Sequence, residues 1–120
     1  MLVSSALDGI GRIWHRSGKL HKMLKGHQAP LLGVRFNKSG ILAVSACVDG
    51  SCTVWKVDTG EVVRRYAHHR GAAMDAAWRD NDLFATAGTD GKIFIYSAKE
   101  TAPQNVLTAH TVRTTPMRNV

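Results

Sequence analysis

A pair of residues, Asp-Gly, recurs in this chain at intervals of 41: Asp8-Gly9, Asp49-Gly50 and Asp90-Gly91. Other columns keep the same period. Trp14, Trp55 and Tyr96 each follow the aspartate by six residues, and Ser4, Ser45 and Thr86 each precede it by four. His27 and His68 precede Asp49 and Asp90 by 22. A fixed period of this length marks a repeat architecture, in which each repeat is a unit that buries its faces against its neighbours.

Within one period the pattern is of short strands. The runs LLGVRFN, ILAVSAC, CTVWKV and EVVRRY are rich in β-branched and aromatic residues. Turn signals separate them at Asn37-Lys38-Ser39-Gly40, Asp49-Gly50-Ser51 and Asp58-Thr59-Gly60. The next period repeats the scheme as AMDAAWR, LFATAGT, KIFIYS and QNVLTA. No stretch of ten or more residues carries a convincing helical period. Four short antiparallel strands per 41 residues predict an all-β fold, a partial β-propeller of about 2.7 four-stranded blades. The expected division is the end of one blade over 1–24, complete blades over 25–66 and 67–109, and a truncated or aberrant tail over 110–120. The chain therefore reads as a fragment or a truncated gene product.

Composition narrows the setting. No apolar run approaches the roughly 20 residues of a membrane span, and the amino terminus lacks the basic and apolar regions of a secretory signal. An intracellular protein is expected. Cys47 and Cys52 flank a turn with no second pair to complete a zinc site, so both read as small buried apolar residues. The net charge of +7 favours acidic partners. The basic residues are scattered and not interleaved with aromatics, so a solvated surface is expected in place of a nucleic-acid groove.

Three constellations look like chemistry. His27, Ser45 and Asp49 mimic a hydrolytic triad, but no G-x-S-x-G elbow exposes the serine and the set repeats along the chain. His68-His69 lacks an evident third metal ligand. Gly9-Ile10-Gly11 is too short to cradle a phosphate. No catalytic residue, metal or cofactor is expected. Phe36 and Trp78 occupy equivalent first-strand columns and read as core.

Together the columns Gly26-His27, Ser45, Asp49 and Trp55, then Ala67-His68, Thr86, Asp90 and Tyr96, resemble the WD-repeat family. Lys56 stands where that family usually carries Asp, and Tyr96 where it carries Trp. The resemblance implies buried hydrogen-bond tetrads: His27, Ser45, Asp49 and Trp55 in one blade, and His68, Thr86, Asp90 and Tyr96 in the next. Ser4, Asp8 and Trp14 belong to a preceding one. The 22-residue spacing to Asp90 assigns His68 to the tetrad and leaves His69 as a surface contact. Tyr96→Trp is expected to be neutral or mildly stabilising. Particular strings, among them DGIGRIW, SACVDGSCTVWKVDTGE and the short loop Asp80-Asn81-Asp82, are similar to the transducin β-like corepressor subunits. That implies a non-enzymatic nuclear scaffold whose partners are corepressor and deacetylase subunits and histones. The other reading is a ubiquitin-ligase substrate receptor or a signalling β-subunit. The implied partner-binding rim is Leu7, Gln28, Pro30, Val48, His69, Arg70 and Thr89, set against the plainer reading that Leu7 and Val48 pack on neighbouring turns.

Overall fold

The computed structural model describes residues 1–4, 7–27 and 29–108. Eleven strands appear among them, and they form three antiparallel sheets. The first contains β1 (Leu2–Ser4), β2 (Gly11–Trp14) and β3 (Leu20–Leu24). The second contains β4 (Leu31–Phe36), β5 (Leu42–Cys47), β6 (Cys52–Lys56) and β7 (Val62–Tyr66), in that order. The third repeats the meander with β8 (Ala73–Trp78), β9 (Leu83–Gly88), β10 (Lys92–Ser97) and β11 (Asn105–Thr108). Among the described residues there is no helix, and the sheets form an arc of a β-propeller.

Burial explains why the strands read as near-continuous apolar runs. A sheet with one covered face alternates along its strands, whereas β5 and β6 are buried at nearly every position. Successive side chains point to opposite faces, so both faces of the middle sheet must be covered. Ile13, Leu24, Ala43, Trp55 and Val57 form the core on one side. Val44, Val54, Tyr66, Ala76, Phe84, Phe94 and Tyr96 form it on the other. Hydrogen bonds stitch the second and third sheets. Trp78 Nε1 donates to the Arg35 carbonyl at 3.0 Å, and the Tyr66 hydroxyl, buried in the aromatic cluster, donates toward the carbonyls of Ser97 and Glu100.

The Asp-Gly turns also join sheet to sheet. Gly50 has φ of 93°, a left-handed value that glycine adopts at little cost. A Cβ there would stand 2.7 Å from the Gly71 carbonyl oxygen and 2.8 Å from that of His69. Gly9 (φ 78°) bears in the same way on the carbonyls of Ala29 and His27. Each turn thus abuts the histidine-bearing loop of the following sheet. The tail from residue 110 lies outside the described residues.

One difference between the two four-stranded sheets matters for the site. Five residues, 37–41, connect β4 to β5, and only four, 79–82, connect β8 to β9. The first strands are therefore 42 residues apart, while the second and third strands start about 41 apart or less.

Candidate functional site

In the middle sheet the aspartate turn, the loop before β4 and the strands β5 and β6 bring five polar side chains together. Trp55 Nε1 donates to Ser45 Oγ at 2.9 Å, and Ser45 Oγ lies 2.6 Å from His27 Nε2. The other ring nitrogen, Nδ1, faces Ser51 Oγ at 3.2 Å, and that hydroxyl donates to Asp49 Oδ1 at 2.6 Å. With the imidazole proton on Nδ1 every group is satisfied: indole to Ser45, Ser45 to Nε2, Nδ1–H to Ser51, Ser51 to carboxylate. The carboxylate thus reaches the histidine through an intervening hydroxyl. Ser45 is fully buried and its oxygen is engaged on both sides, unlike the exposed nucleophile that acyl transfer requires.

The third sheet is wired differently, and here the assignment of His68 to the tetrad is corrected. His69 Nε2 lies 2.8 Å from Thr86 Oγ1, and His69 Nδ1 lies 3.0 Å from Asp90 Oδ1. His69 is buried, not a surface contact, and its side chain is 1% exposed. His68 instead points its Nδ1 at the Tyr96 hydroxyl, 2.9 Å away. Tyr96 does not replace an indole on Thr86; its ring packs against Tyr66 and Phe84. The physical reason is the shortened first hairpin. A histidine four residues before the first strand moves with that strand and not with the aspartate: His27 precedes Leu31 as His69 precedes Ala73. The signal was available in the sequence, since His27 to Phe36 and His69 to Trp78 are both nine residues.

A second position decides how directly histidine and aspartate meet. Gly88 stands where the middle sheet has Cys47. A Cβ on Gly88 would collide with His69 Nδ1 and stand 2.8 Å from Asp90 Oδ1. Glycine leaves the ring free to close on the carboxylate. In the middle sheet the Cys47 side chain fills that space, its thiol donating to the Ala29 carbonyl at 3.4 Å, and Ser51 bridges the remaining gap. Sequence reasoning overlooked Ser51, whose counterparts are Ile10 and Lys92. Those three residues share a backbone role, donating N–H to Oδ1 of Asp8, Asp49 and Asp90 at 3.1, 2.9 and 3.2 Å. In the first sheet Trp14 Nε1 donates to Ser4 Oγ at 3.0 Å, while Asp8 pairs with Arg12 at 2.8 Å.

Ionisation follows these contacts. Burial lowers the His27 pKa, the positive charge of Arg65 lowers it further, and Asp49 opposes both. Burial pushes the Asp49 carboxyl up, but the Ser51 hydroxyl and amide outweigh it and the net shift is down. Asp90 is likewise lowered, burial being outweighed by bonds from His69, the Arg70 amide and the Lys92 amide. Burial raises the Cys47 thiol and pushes Cys52 up to about 12.

These relays fix the loops on one rim. Val48 N donates to the Pro30 carbonyl at 3.0 Å, Thr89 and Ala72 exchange two bonds, and the Arg70 amide donates to Asp90 Oδ2. Leu7 (84% exposed) and Val48 (42%) project from their turns, and the Arg70 and Thr89 side chains are also exposed. Gln28 lies outside the described residues.

The repeat family described as "WD domain, G-beta repeat" matches residues 18–56 and 60–97. The chain belongs to the WD40-repeat family. Among curated WD40 proteins, F-box-like/WD repeat-containing protein TBL1X of Mus musculus is 32% identical over 111 residues, covering 92% of this chain and 21% of its own length. SIR4-interacting protein SIF2 of Saccharomyces cerevisiae is 29% identical over 124 residues, covering 91% of this chain and 23% of its own. The solved C-terminal WD40 domain of Sif2 matches with a TM-score of 0.81 at 31% identity, over 90% of this chain and 31% of that one. The chain thus spans about a fifth of the length of these curated relatives. WD40 repeats of this kind support a protein-interaction scaffold homologous to TBL1-type and SIF2-type proteins.

Proposed function

We propose that this chain is part of a nuclear corepressor scaffold, non-enzymatic, whose relay-bearing rim docks subunits of a histone deacetylase complex. The observation that carries the reading is the rim itself. Leu7 and Val48 are apolar side chains exposed at Asp-Gly turns, the first capped by Asp8 and the second tied by the Val48 amide to the Pro30 carbonyl, and apolar groups displayed on fixed turns suit a contact surface. Arg70 adds a guanidinium able to take a carboxylate through two parallel bonds. The net charge of +7 favours acidic segments of partner subunits over basic histone tails.

The likeness to TBL1X and SIF2 supports the corepressor setting and the nuclear location. A second reading, a substrate receptor of a ubiquitin ligase, draws on the F-box-like segment in the name of the TBL1 relatives. The test is Val48→Asp with Arg70→Glu in the full-length protein, read by co-purification of deacetylase and corepressor subunits. The expected result is loss of at least one subunit from a folded variant. Full recovery of every subunit rules out the rim, and co-purification of ubiquitin-ligase subunits in their place favours the second reading.

A further inference from the structure

The middle sheet holds a grouping that its neighbour lacks. His27, Cys47 and Asp49 each offer a donor atom, and the three atoms lie within 4.8 Å of one another. Three points so spaced always share a point within about 2.8 Å of all of them, and modest side-chain rotation brings that to the 2.0–2.3 Å of nitrogen, oxygen and sulfur ligands on zinc. We infer that His27 Nδ1, Cys47 Sγ and an Asp49 carboxylate oxygen form a binding site for a borderline-soft divalent metal ion such as zinc or cobalt.

The surroundings suit such a site. A metal-bound imidazole donates its other ring N–H to a fixed acceptor. Ser45 Oγ, 2.6 Å from Nε2, can be that acceptor, because its own proton has a second destination in the Thr53 carbonyl at 3.4 Å. Binding moves the imidazole proton from Nδ1 to Nε2 and releases the thiol proton to solvent, so one proton leaves per ion bound. Ser51 Oγ, which bridges His27 and Asp49, swings aside or supplies the fourth position with water. Entry is from the rim, where Asp49 and Val48 are exposed although Cys47 is buried. The third sheet serves as an internal control. Gly88 replaces the thiol there, and His69 is already closed on Asp90. The spacing of 20 residues between His27 and Cys47 matches no short metal motif, so only the fold assembles the site.

The experiment titrates Co²⁺ into the full chain and follows thiolate-to-cobalt charge-transfer absorption together with the thermal midpoint. One ion per chain, a thiolate band and a raised midpoint are expected. Cys47→Ser removes the band and the rise in midpoint, Asp49→Asn weakens binding about tenfold or more, and Cys52→Ser, the only other cysteine, leaves the band intact. Absence of a thiolate band in the unsubstituted chain, a band that survives Cys47→Ser, or a midpoint that does not rise with Co²⁺ overturns the inference. The last outcome would mean that the ion does not prefer the folded chain to the unfolded one.

Discussion

The two histidine relays are built from nearly the same residues and solve the same problem by different routes. In the third sheet His69 touches Asp90 directly; in the middle sheet His27 reaches Asp49 only through Ser51. Both satisfy a buried imidazole, which an apolar core otherwise penalises. What differs is which residue makes the adjustment. The direct contact depends on a missing Cβ at Gly88, and the relayed one depends on an added hydroxyl at Ser51. The aspartate's constant duty is to cap its own turn, accepting the amide two residues on in all three sheets. The link to histidine is the variable part.

Several substitutions set the two relays against each other. The largest effect is expected at Trp55, fully buried between two sheets. Trp55→Ala should cost about 3–5 kcal/mol in urea unfolding, combining a cavity with loss of the indole bond to Ser45. Its counterpart Tyr96 is not expected to be interchangeable with it. Contrary to the expectation from the repeat columns, Tyr96→Trp should destabilise by about 1–3 kcal/mol, because the larger ring overfills the space beside Tyr66 and Phe84 and abandons His68. An unchanged midpoint would show that the Tyr96 site has room to spare.

Gly88→Ala should cost about 1–3 kcal/mol by driving His69 off Asp90, whereas Cys47→Ala, at the equivalent position, should cost about 1 kcal/mol. Equal losses would mean that the missing Cβ does not decide the geometry. Asp90→Ala should cost about 1–3 kcal/mol, because the buried Nδ1–H of His69 loses its carboxylate. Asp49→Ala should sit at the low end of that range, since Ser51 Oγ remains to accept from His27. Reversal of that order would dismiss the bridging hydroxyl.

The smallest effect is in pH. The folded pKa of His27 is lowered by burial and Arg65, so the unfolded chain takes up its proton first. The contribution of His27 is fully present above the unfolded value of about 6.5 and is lost as pH falls through the folded value. The lowered carboxyls of Asp49 and Asp90 add a second loss below about pH 4. Thermal midpoints of the unsubstituted chain and of His27→Gln, compared from pH 7 to pH 5, should differ in slope, with the variant flatter.

The fold was readable from the 41-residue columns because backbone and burial both repeat with them. Runs such as LFATAGT and KIFIYS coincide with β9 and β10 to within a residue. The histidine of the third sheet was not readable from the same columns. Counting from Asp90 pointed to His68, and a one-residue deletion in the hairpin between β8 and β9 had shifted the frame. Periodicity transmits position only through uninterrupted elements, so a residue has to be indexed from the strand that carries it. Ser51 was invisible for another reason. A serine after Asp-Gly is ordinary turn chemistry, and only the packing of Cys47 against the Ala29 carbonyl opens the gap it fills.

The uneven covering of the sheets also sets an order of unravelling. β11 is exposed at all four positions and is held by its ladder to β10, so its amides should exchange with solvent first, from local fraying. β5 and β6 have apolar neighbours on both faces, and their amides should exchange only when an adjoining sheet detaches. In a stack of repeats, cooperativity resides in the contacts between units. The slowest-exchanging protons of this molecule should therefore report the separation of sheets and not the melting of any single one.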